Sequence, residues 1–404
     1  MQLVGPDGKQ RNYQEGTPLV DIAPDYQAAY DTPIALGVLN GREVPLQMIP
    51  QEGDRICFLD MNSVESYNTY ISTFLFVLIA AMNRARPQVM LEVQNTFGNA
   101  LYCDIKNKIV LSDYDLADVA AEMKAMIQEK TPITLSFKKK QEAWSYVKPR
   151  FYCDQAPLLS ALPDDVEIPV YELDGVSAYF VNPLLPHLGY LKEFELIRMG
   201  SGILLRYGKR GHYDRLEPFA RRDKLAAVYA DSEKMGQRLH CPTVAALNQF
   251  IKRGNSREII LACEAQHEKK IAQIADAIAS EERGVRLVLI AGPSSSGKTT
   301  FSQRLAVQLR VNGMRPIPIS MDNYFKERKD TPRLPDGSYD FESLGALDTD
   351  LFNEQLHELL QGKTVTIPHF SFHTGTRSYR DQKEQLGDDG VLIVEGIHGL
   401  NEAV

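Results

Sequence analysis

Val285-Arg-Leu-Val-Leu-Ile-Ala291, running directly into Gly292-Pro-Ser-Ser-Ser-Gly297-Lys298-Thr299-Thr300, is the stretch that decides the fold. The first part is a short, nearly continuous apolar run, as a strand buried on both faces of a parallel sheet should be. Phe301 to Arg310 then continues as a helix, and Asn312-Gly313 stops it. Strand, GxxxxGKT-type loop and helix together are the setting in which that loop cradles phosphate. Its glycines let the backbone curl so that successive N–H groups point inward at phosphate oxygens, and the helix N-terminus adds a favourable dipole. Lys298 is expected to reach the β- and γ-phosphates of the nucleotide, with the Thr299 hydroxyl on Mg2+. Gly292, Pro293, Ser294, Ser295, Ser296, Gly297 and Thr300 complete the expected nucleotide cradle.

Such a loop says nucleotide, not reaction. The next strand, Ile317 to Met321, ends in Asp322. An acid at the carboxyl end of a parallel strand sits at the ligand-binding edge of an open α/β sheet. There it can orient and deprotonate an acceptor hydroxyl, or it can be an ordinary turn aspartate. The third strand, Val391 to Val394, ends in Glu395-Gly396, and Glu395 is placed either to hold magnesium or to serve as a structural carboxylate.

Composition narrows the class. The chain has 404 residues, 44% hydrophobic and 24% charged, which excludes a disordered tail, a collagen-like fibre and a small disulfide scaffold. The longest uninterrupted apolar run, Phe74 to Met82, is about half what a membrane crossing needs. The opening Met-Gln-Leu-Val-Gly shows no secretory signal. Cys57, Cys103, Cys153, Cys241 and Cys263 are scattered without CxxC spacing, which fits a reducing cytoplasm. A net charge of −8 argues against bulk nucleic-acid binding, though a local basic face remains open. Oligomeric state is open as well.

Upstream, Leu3-Val4 and Gln10 to Tyr13 flank the turn Gly5-Pro6-Asp7-Gly8. Thr17-Pro18 reads as an N-cap followed by proline at the first helical position. Ile34 to Leu39 is a strand ending in the hairpin signal Asn40-Gly41, and Ile56 to Leu59 is another. This is a small β-grasp pattern. Thr69 to Met82 follows as an apolar helix, Val89 to Val93 as a strand and Tyr114 to Lys130 as a second helix. From Asp214 to Ser280 the pattern is helical. Ile271, Ile274, Ala275 and Ile278 form an apolar stripe expected to pack on a neighbouring domain.

The order Pro-Asp-Gly-Lys, Gly-Thr and Asn-Gly resembles the ubiquitin-like TGS domain found ahead of threonyl-tRNA synthetases. Residues 63–212 resemble the editing-type domain that follows it in that family. The resemblance implies a metal held by an HxxxH pair and a later Cys-His pair. Those positions fall on Ser72, Phe76, Phe180 and Leu184, which carry no imidazole or thiolate, so the hydrolytic chemistry is expected to be lost. His187 reads as a loop histidine.

The phosphate loop, Asp322, Asp340 with Glu342, Pro368 to Arg377, and Glu395-Gly396 stand in an order that resembles the uridine kinase and phosphoribulokinase family. The whole chain resembles long bacterial uridine kinase-like nucleoside kinases. The resemblance implies an ATP- and magnesium-dependent kinase acting on a nucleoside 5′-hydroxyl or a similar small alcohol. Asp322 would be the base, Lys298 the phosphate clamp, and Thr299 with Glu395 the metal shell. Asp340 and Glu342 would meet ribose hydroxyls or simply solvate a loop, and Phe370, Phe372 and Arg377 would face the acceptor. The chain departs from the family at Phe370, Ser371 and Gly375, where the family has Tyr, Asp and His. The readers of a pyrimidine edge are therefore gone, and uridine specificity does not follow. His369 and His373 lie close enough to substitute, or are structural. Arg304, Arg310, Arg315 and Arg328 read as surface charges. The family uses five parallel strands and a later arginine-rich lid, so the resemblance implies a C-terminally truncated kinase unit that binds nucleotide and turns over poorly.

The expected fold is therefore an α/β multidomain chain: a β-grasp domain at 1–62, an editing-like α+β domain at 63–212, a helical connector at 213–283 and a partial P-loop kinase domain at 284–404. The rival from another class is a nucleotide-binding RNA- or ribosome-associated regulator with the P-loop as its switch. No Asn-Lys-x-Asp guanine reader is present to make it a GTPase.

Overall fold

The computed structural model describes residues 1–146, 159, 162–219, 222–280, 282 and 284–404, with backbone alone at 380–382. It falls into two compact units, Met1–Gly254 and Asn255–Val404.

The first unit opens with β1 (Gln2–Val4) and β2 (Gln10–Asn12), an antiparallel hairpin whose turn places Gly8 at φ +73°. Helix α1 (Leu19–Ile22) starts one residue later than expected. Thr17 does not cap it, because its hydroxyl donates backward to the Gln14 carbonyl at 2.8 Å. Strands β3 (Ile34–Leu39), β4 (Arg42–Val44) and β5 (Ile56–Asp60) form an antiparallel sheet in the order β4-β3-β5. Asn40 and Gly41, at φ 51° and 82°, supply the two left-handed residues that a tight β3–β4 turn demands. Leu3, Leu19, Ile22 and Phe58 close this small core.

Helix α2 (Val64–Ala85) begins where the Ser63 hydroxyl accepts the Ser66 N–H at 3.0 Å. It has 22 residues, longer than the expected Thr69 to Met82. Among the described residues it is the one helix long and apolar enough to cross a membrane by length and composition. Its Phe74 to Met82 run is instead buried in the unit's main core. Around it lie β6 (Leu91–Thr96), β7 (Ala100–Ile105), α3 (Asp113–Gln128), β8 (Thr134–Lys139), α4 (Lys140–Tyr146), β9 (Glu167–Leu173), β10 (Val176–Tyr179), β11 (Phe194–Met199) and β12 (Gly202–Tyr207). These strands make two antiparallel sheets, β10-β9-β8 and β11-β12-β7-β6. Helix α3 carries a full capping box between Ser112 and Asp115. The Ser112 hydroxyl and N–H, with the Arg86 guanidinium, hold the Asp115 carboxyl down at about 2. Helices α5 (Asp223–Arg238) and α6 (Val244–Lys252) complete the unit.

The second unit begins with α7 (Ser256–Ala279), then β13 (Leu287–Ala291), α8 (Lys298–Val311), β14 (Arg315–Ser320), α9 (Thr349–Leu360), the hairpin β15 (Thr364–Ser371) and β16 (Thr376–Gln385), and β17 (Gly390–Gly396). Its parallel sheet runs β13-β17-β14. The central strand β17 is buried along its whole length. Strand β13, expected to be buried on both faces, lies at the edge of these three strands, with Leu289 42% exposed. The stripe on α7 packs on the phosphate-loop segment that follows it in the chain. Ile271 and Ala275 are buried against Leu305, Ala306 and Leu309 of α8, whereas Ile274 is exposed. The stripe therefore packs on the neighbouring segment as expected, and its partner there is the helix that follows the phosphate loop. The described cysteines Cys57, Cys103, Cys241 and Cys263 are free, and Cys153 lies outside the described residues.

Candidate functional site

Because β13, β14 and β17 are parallel, their carboxyl ends meet at one edge, and the polar residues of the second unit gather there. The loop from Gly292 to Gly297 joins β13 to α8. Gly297, at φ +85°, is the N-cap of α8, and Ser295 also turns left-handed at φ +59°. A side chain at Gly292 would bring its Cβ within 2.7 Å of Ser296 Oγ, so that hydroxyl would have to swing aside. Lys298 reaches back across the loop and donates to the Pro293 carbonyl at 2.9 Å. Ser294, Ser295, Ser296, Thr299 and Thr300 are all exposed along the loop and the first turn of α8.

Glu395 stands in register between Ile290 of β13 and Ser320 of β14. It is only 6% exposed, and a buried carboxylate needs hydrogen-bond donors. Oε1 receives two, from Thr299 Oγ1 at 3.1 Å and Ser320 Oγ at 2.9 Å. The Thr299–Glu395 pair is therefore an all-oxygen set, the donor chemistry that suits Mg2+. Among the described residues no group of three or more His, Cys, Asp or Glu side chains could hold a metal ion. One carboxylate and one hydroxyl beside phosphates is the usual protein share of a magnesium shell.

Asp322 sits in the short turn Met321–Tyr324 that follows β14. Much of its surface meets solvent, yet packed neighbours strip part of the water its carboxylate would recruit. That desolvation, with repulsion from Glu395, raises its pKa, while Lys298 opposes the rise. The site thus holds two acids in different settings, one pinned by hydroxyls and one made more basic.

The expected acceptor residues meet different fates. Asp340 Oδ1 accepts from the N–H groups of Glu342 and Ser343 at 3.1 and 3.0 Å, which pins a turn. The Glu342 side chain is exposed, and its carbonyl bonds His398 Nε2 at 3.0 Å. Phe370 is buried at 5% exposure, behind Phe372, which is half exposed. Phe325, Phe341 and Phe372 stand mutually 5.2–5.8 Å apart, edge to face, and Phe370 joins them 5.1 Å from Phe372. Arg377 pairs with Asp348 at 2.8 Å and donates to the Phe325 carbonyl at 3.1 Å, so internal partners occupy its guanidinium. His369 is half-buried in β15, and His373 is exposed near the hairpin tip.

Sequence reasoning missed Ser320, Phe325 and Phe341. Ser320 had a signal, since it ends the strand that pairs with Glu395. Arg328 was read as a surface charge, and the structure corrects this. Its N–H donates to the Gly375 carbonyl at 3.0 Å and its Nη2 to the Phe372 carbonyl at 2.7 Å, clasping the β15–β16 tip. Gly375 permits the clasp, because a Cβ there would lie 2.6 Å from Arg328 Nε. Arg304 pairs with Glu268 of α7, while Arg310 and Arg315 are exposed.

In the first unit, three of the four positions without metal donors are packed as core, and the fourth, Ser72, is half-buried at its margin. The Phe76 and Phe180 rings meet at 5.2 Å, Leu184 is fully buried in the same cluster, and Ser72 accepts from Asn182 Nδ2 at 3.2 Å. His187 is a turn residue: Nδ1 accepts the Gly189 N–H at 3.1 Å, and burial, with Lys130 nearby, pushes its pKa down.

Comparisons with known proteins follow the same division. Residues 287–403 match the Phosphoribulokinase / Uridine kinase family. A uridine kinase of Schizosaccharomyces pombe is 36% identical over 120 residues, 29% of this chain and 26% of that protein. An inorganic pyrophosphatase, TTM2, of Arabidopsis thaliana is 35% identical over 127 residues, 31% of this chain and 17% of that protein. A threonine–tRNA ligase of Bacillus velezensis is 24% identical over 278 residues, 63% of this chain and 43% of that protein. The chain spans less than half the length of each of these three relatives. The carboxyl-terminal residues 287–403 thus match the Phosphoribulokinase / Uridine kinase family model, behind an amino-terminal part similar to threonine–tRNA ligases.

Proposed function

We propose that the second unit transfers the γ-phosphoryl group of ATP to the hydroxyl of a small acceptor, a nucleoside or a sugar alcohol. The observation that carries this reading is the meeting of Thr299, Ser320 and Glu395 at one sheet edge, with Lys298 and Asp322 beside them. The loop amides and the α8 N-terminus bind the phosphates. Lys298 exchanges the Pro293 carbonyl for the β- and γ-phosphate oxygens. Magnesium, held through Thr299 and Glu395, neutralises phosphate charge when bound. Asp322 accepts the acceptor's proton, and its raised pKa makes it a better base. The half-exposed Phe372, backed by Phe325 and Phe341, offers an apolar face to the acceptor, and the Tyr, Asp and His of the family pattern are replaced there by Phe370, Ser371 and Gly375. This favours acceptors with a stacking or apolar face over selection for uridine.

Two variants separate binding from chemistry. Lys298→Ala is expected to weaken ATP binding, whereas Asp322→Asn is expected to keep ATP and lose transfer. An Asp322→Asn protein with full turnover would remove Asp322 from the mechanism. A reducing, cytoplasmic setting fits the four free cysteines.

The second reading, a nucleotide-switched regulator acting on RNA or ribosomes, is favoured by the similarity to a threonine–tRNA ligase over 63% of the chain. RNA retained at physiological salt, with no acceptor phosphorylated, is its signature.

A further inference from the structure

On the kinase reading above, we propose that Arg328 is a positioning residue for the acceptor. By holding the tip of the β15–β16 hairpin it sets Phe372 against Phe325 and Phe341, and so governs how tightly an acceptor with a planar ring is held.

Two arginines bind the aromatic face, and each reaches across to the other's segment. Arg377, on β16, donates from Nη2 to the carbonyl of Phe325 at 3.1 Å, and its Nη1 is anchored on Asp348 at 2.8 Å. Arg328, just beyond Phe325 in the chain, reaches in the opposite direction, from Nη2 to the Phe372 carbonyl at 2.7 Å. Its own backbone N–H bonds the Gly375 carbonyl at 3.0 Å. Both ends of the tip, Phe372 and Gly375, are thus fixed from one residue. The rings of Phe325 and Phe372, the two phenylalanines held in this way, stand 5.2 Å apart at 67°. The Arg328 guanidinium also lies 5.9 Å from the Tyr339 ring, which stands 6.0 Å from Phe341. One side chain therefore joins the hairpin wall of the aromatic group to its loop wall.

Three features separate this clasp from an ordinary surface contact. Arg328 Nε is buried and meets no hydrogen-bond acceptor among the described residues, a cost that calls for a reason. The tip is shaped around the side chain, since a Cβ on Gly375, at φ +71°, would lie 2.6 Å from that same Nε. Phe372 is 49% exposed, so packing alone holds its ring weakly and the backbone clasp supplies the direction. A ring fixed beforehand need not be ordered when the acceptor arrives, which strengthens binding. Because the clasp ends on Phe372 rather than on Lys298, Asp322 or Glu395, its loss acts on acceptor binding and not on the chemical step.

The experiment is steady-state kinetics of the full chain with Mg·ATP and a panel of nucleosides and sugar alcohols. The variants are Arg328→Ala, Arg328→Lys, Phe372→Ala and the Arg328→Ala/Phe372→Ala pair, with acceptor binding followed by calorimetry and amide exchange over residues 369–377 by mass spectrometry. Arg328→Ala is expected to raise the nucleoside KM by about fivefold or more, with kcat and the KM for ATP within about twofold of wild type. It should also speed amide exchange at the tip. Arg328→Lys, whose ammonium still donates to the Phe372 carbonyl, should recover most of the loss. In the Phe372→Ala background, Arg328→Ala should add less than about twofold, because its effect runs through that ring. An unchanged nucleoside KM in Arg328→Ala, or a loss that persists in full without Phe372, would overturn the proposal. So would parallel losses in kcat and ATP affinity, the mark of a purely structural role, or transfer confined to acceptors without a planar ring. Wild type that neither binds nor phosphorylates any acceptor would instead sink the kinase reading, and this role of Arg328 with it.

Discussion

Two places in this molecule, one in each unit, have been built in opposite ways. At the carboxyl edge of the β13-β17-β14 sheet, Glu395 is buried yet retained, held by two hydroxyls, and Asp322 is kept where burial and a neighbouring acid make it uncomfortable. In the first unit, the positions that the resemblance aligns with metal ligands carry Phe76, Phe180 and Leu184 packed ring to ring and chain to chain, with Ser72 in one hydrogen bond to Asn182. Buried polar groups cost stability unless fully paired, so they persist where chemistry needs them. Apolar packing at such a position stabilises the fold instead. On the proposed function, the difference separates a locus organised for reaction from one organised for packing.

The comparison breaks if the two loci respond alike to substitution. The largest effect is expected at Asp322. Asp322→Asn should lower turnover by about 10²–10⁴-fold, the usual worth of a positioned base. Its effect on stability has the opposite sign. The folded pKa of Asp322 is raised above 3.8, so its contribution to stability is complete below the unfolded pKa and is lost as pH rises through the folded value. At pH 7 the charged carboxylate therefore opposes folding, and thermal unfolding of the nucleotide-free Asn variant should match or exceed wild type. Phe76→Ala should behave in the reverse manner, costing about 3–5 kcal/mol in urea unfolding by opening a cavity beside Phe180 while leaving nucleotide affinity intact. Glu395→Gln should weaken magnesium-dependent ATP binding by about 10–100-fold, and magnesium-free binding much less. The smallest effect sharpens the contrast: a zinc-selective chelator should leave the unfolding midpoint unchanged, because the first unit's aligned positions offer no zinc donors.

Much of this was legible in the chain, for physical reasons that differ by region. The phosphate loop was readable because its chemistry is local: glycine at two backbone curls, lysine and threonine at fixed offsets, an apolar strand before and a helix after. The Asn40-Gly41 hairpin was readable for the same reason. The α7 stripe was half readable, since periodicity reveals an apolar face but not what covers it, and the cover proved to be α8. Tertiary partners escaped altogether. Ser320 matters through its register opposite Glu395, and Arg328 matters because Gly375, far along the chain, leaves room for its guanidinium. Arg377, expected to face the acceptor, is tied to Asp348 and Phe325, a pairing that no spacing rule discloses.

The most direct measurement is the fate of the γ-phosphoryl group. Phosphorus NMR of the protein with Mg·ATP and a panel of nucleosides and sugar alcohols distinguishes an acceptor monophosphate from free phosphate, and a parallel sample with pyrophosphate reports hydrolysis. The account predicts an acceptor monophosphate that disappears in Asp322→Asn, with pyrophosphate left intact. ATP bound without any acceptor phosphorylated, or pyrophosphate cleaved in its place, would contradict the kinase reading.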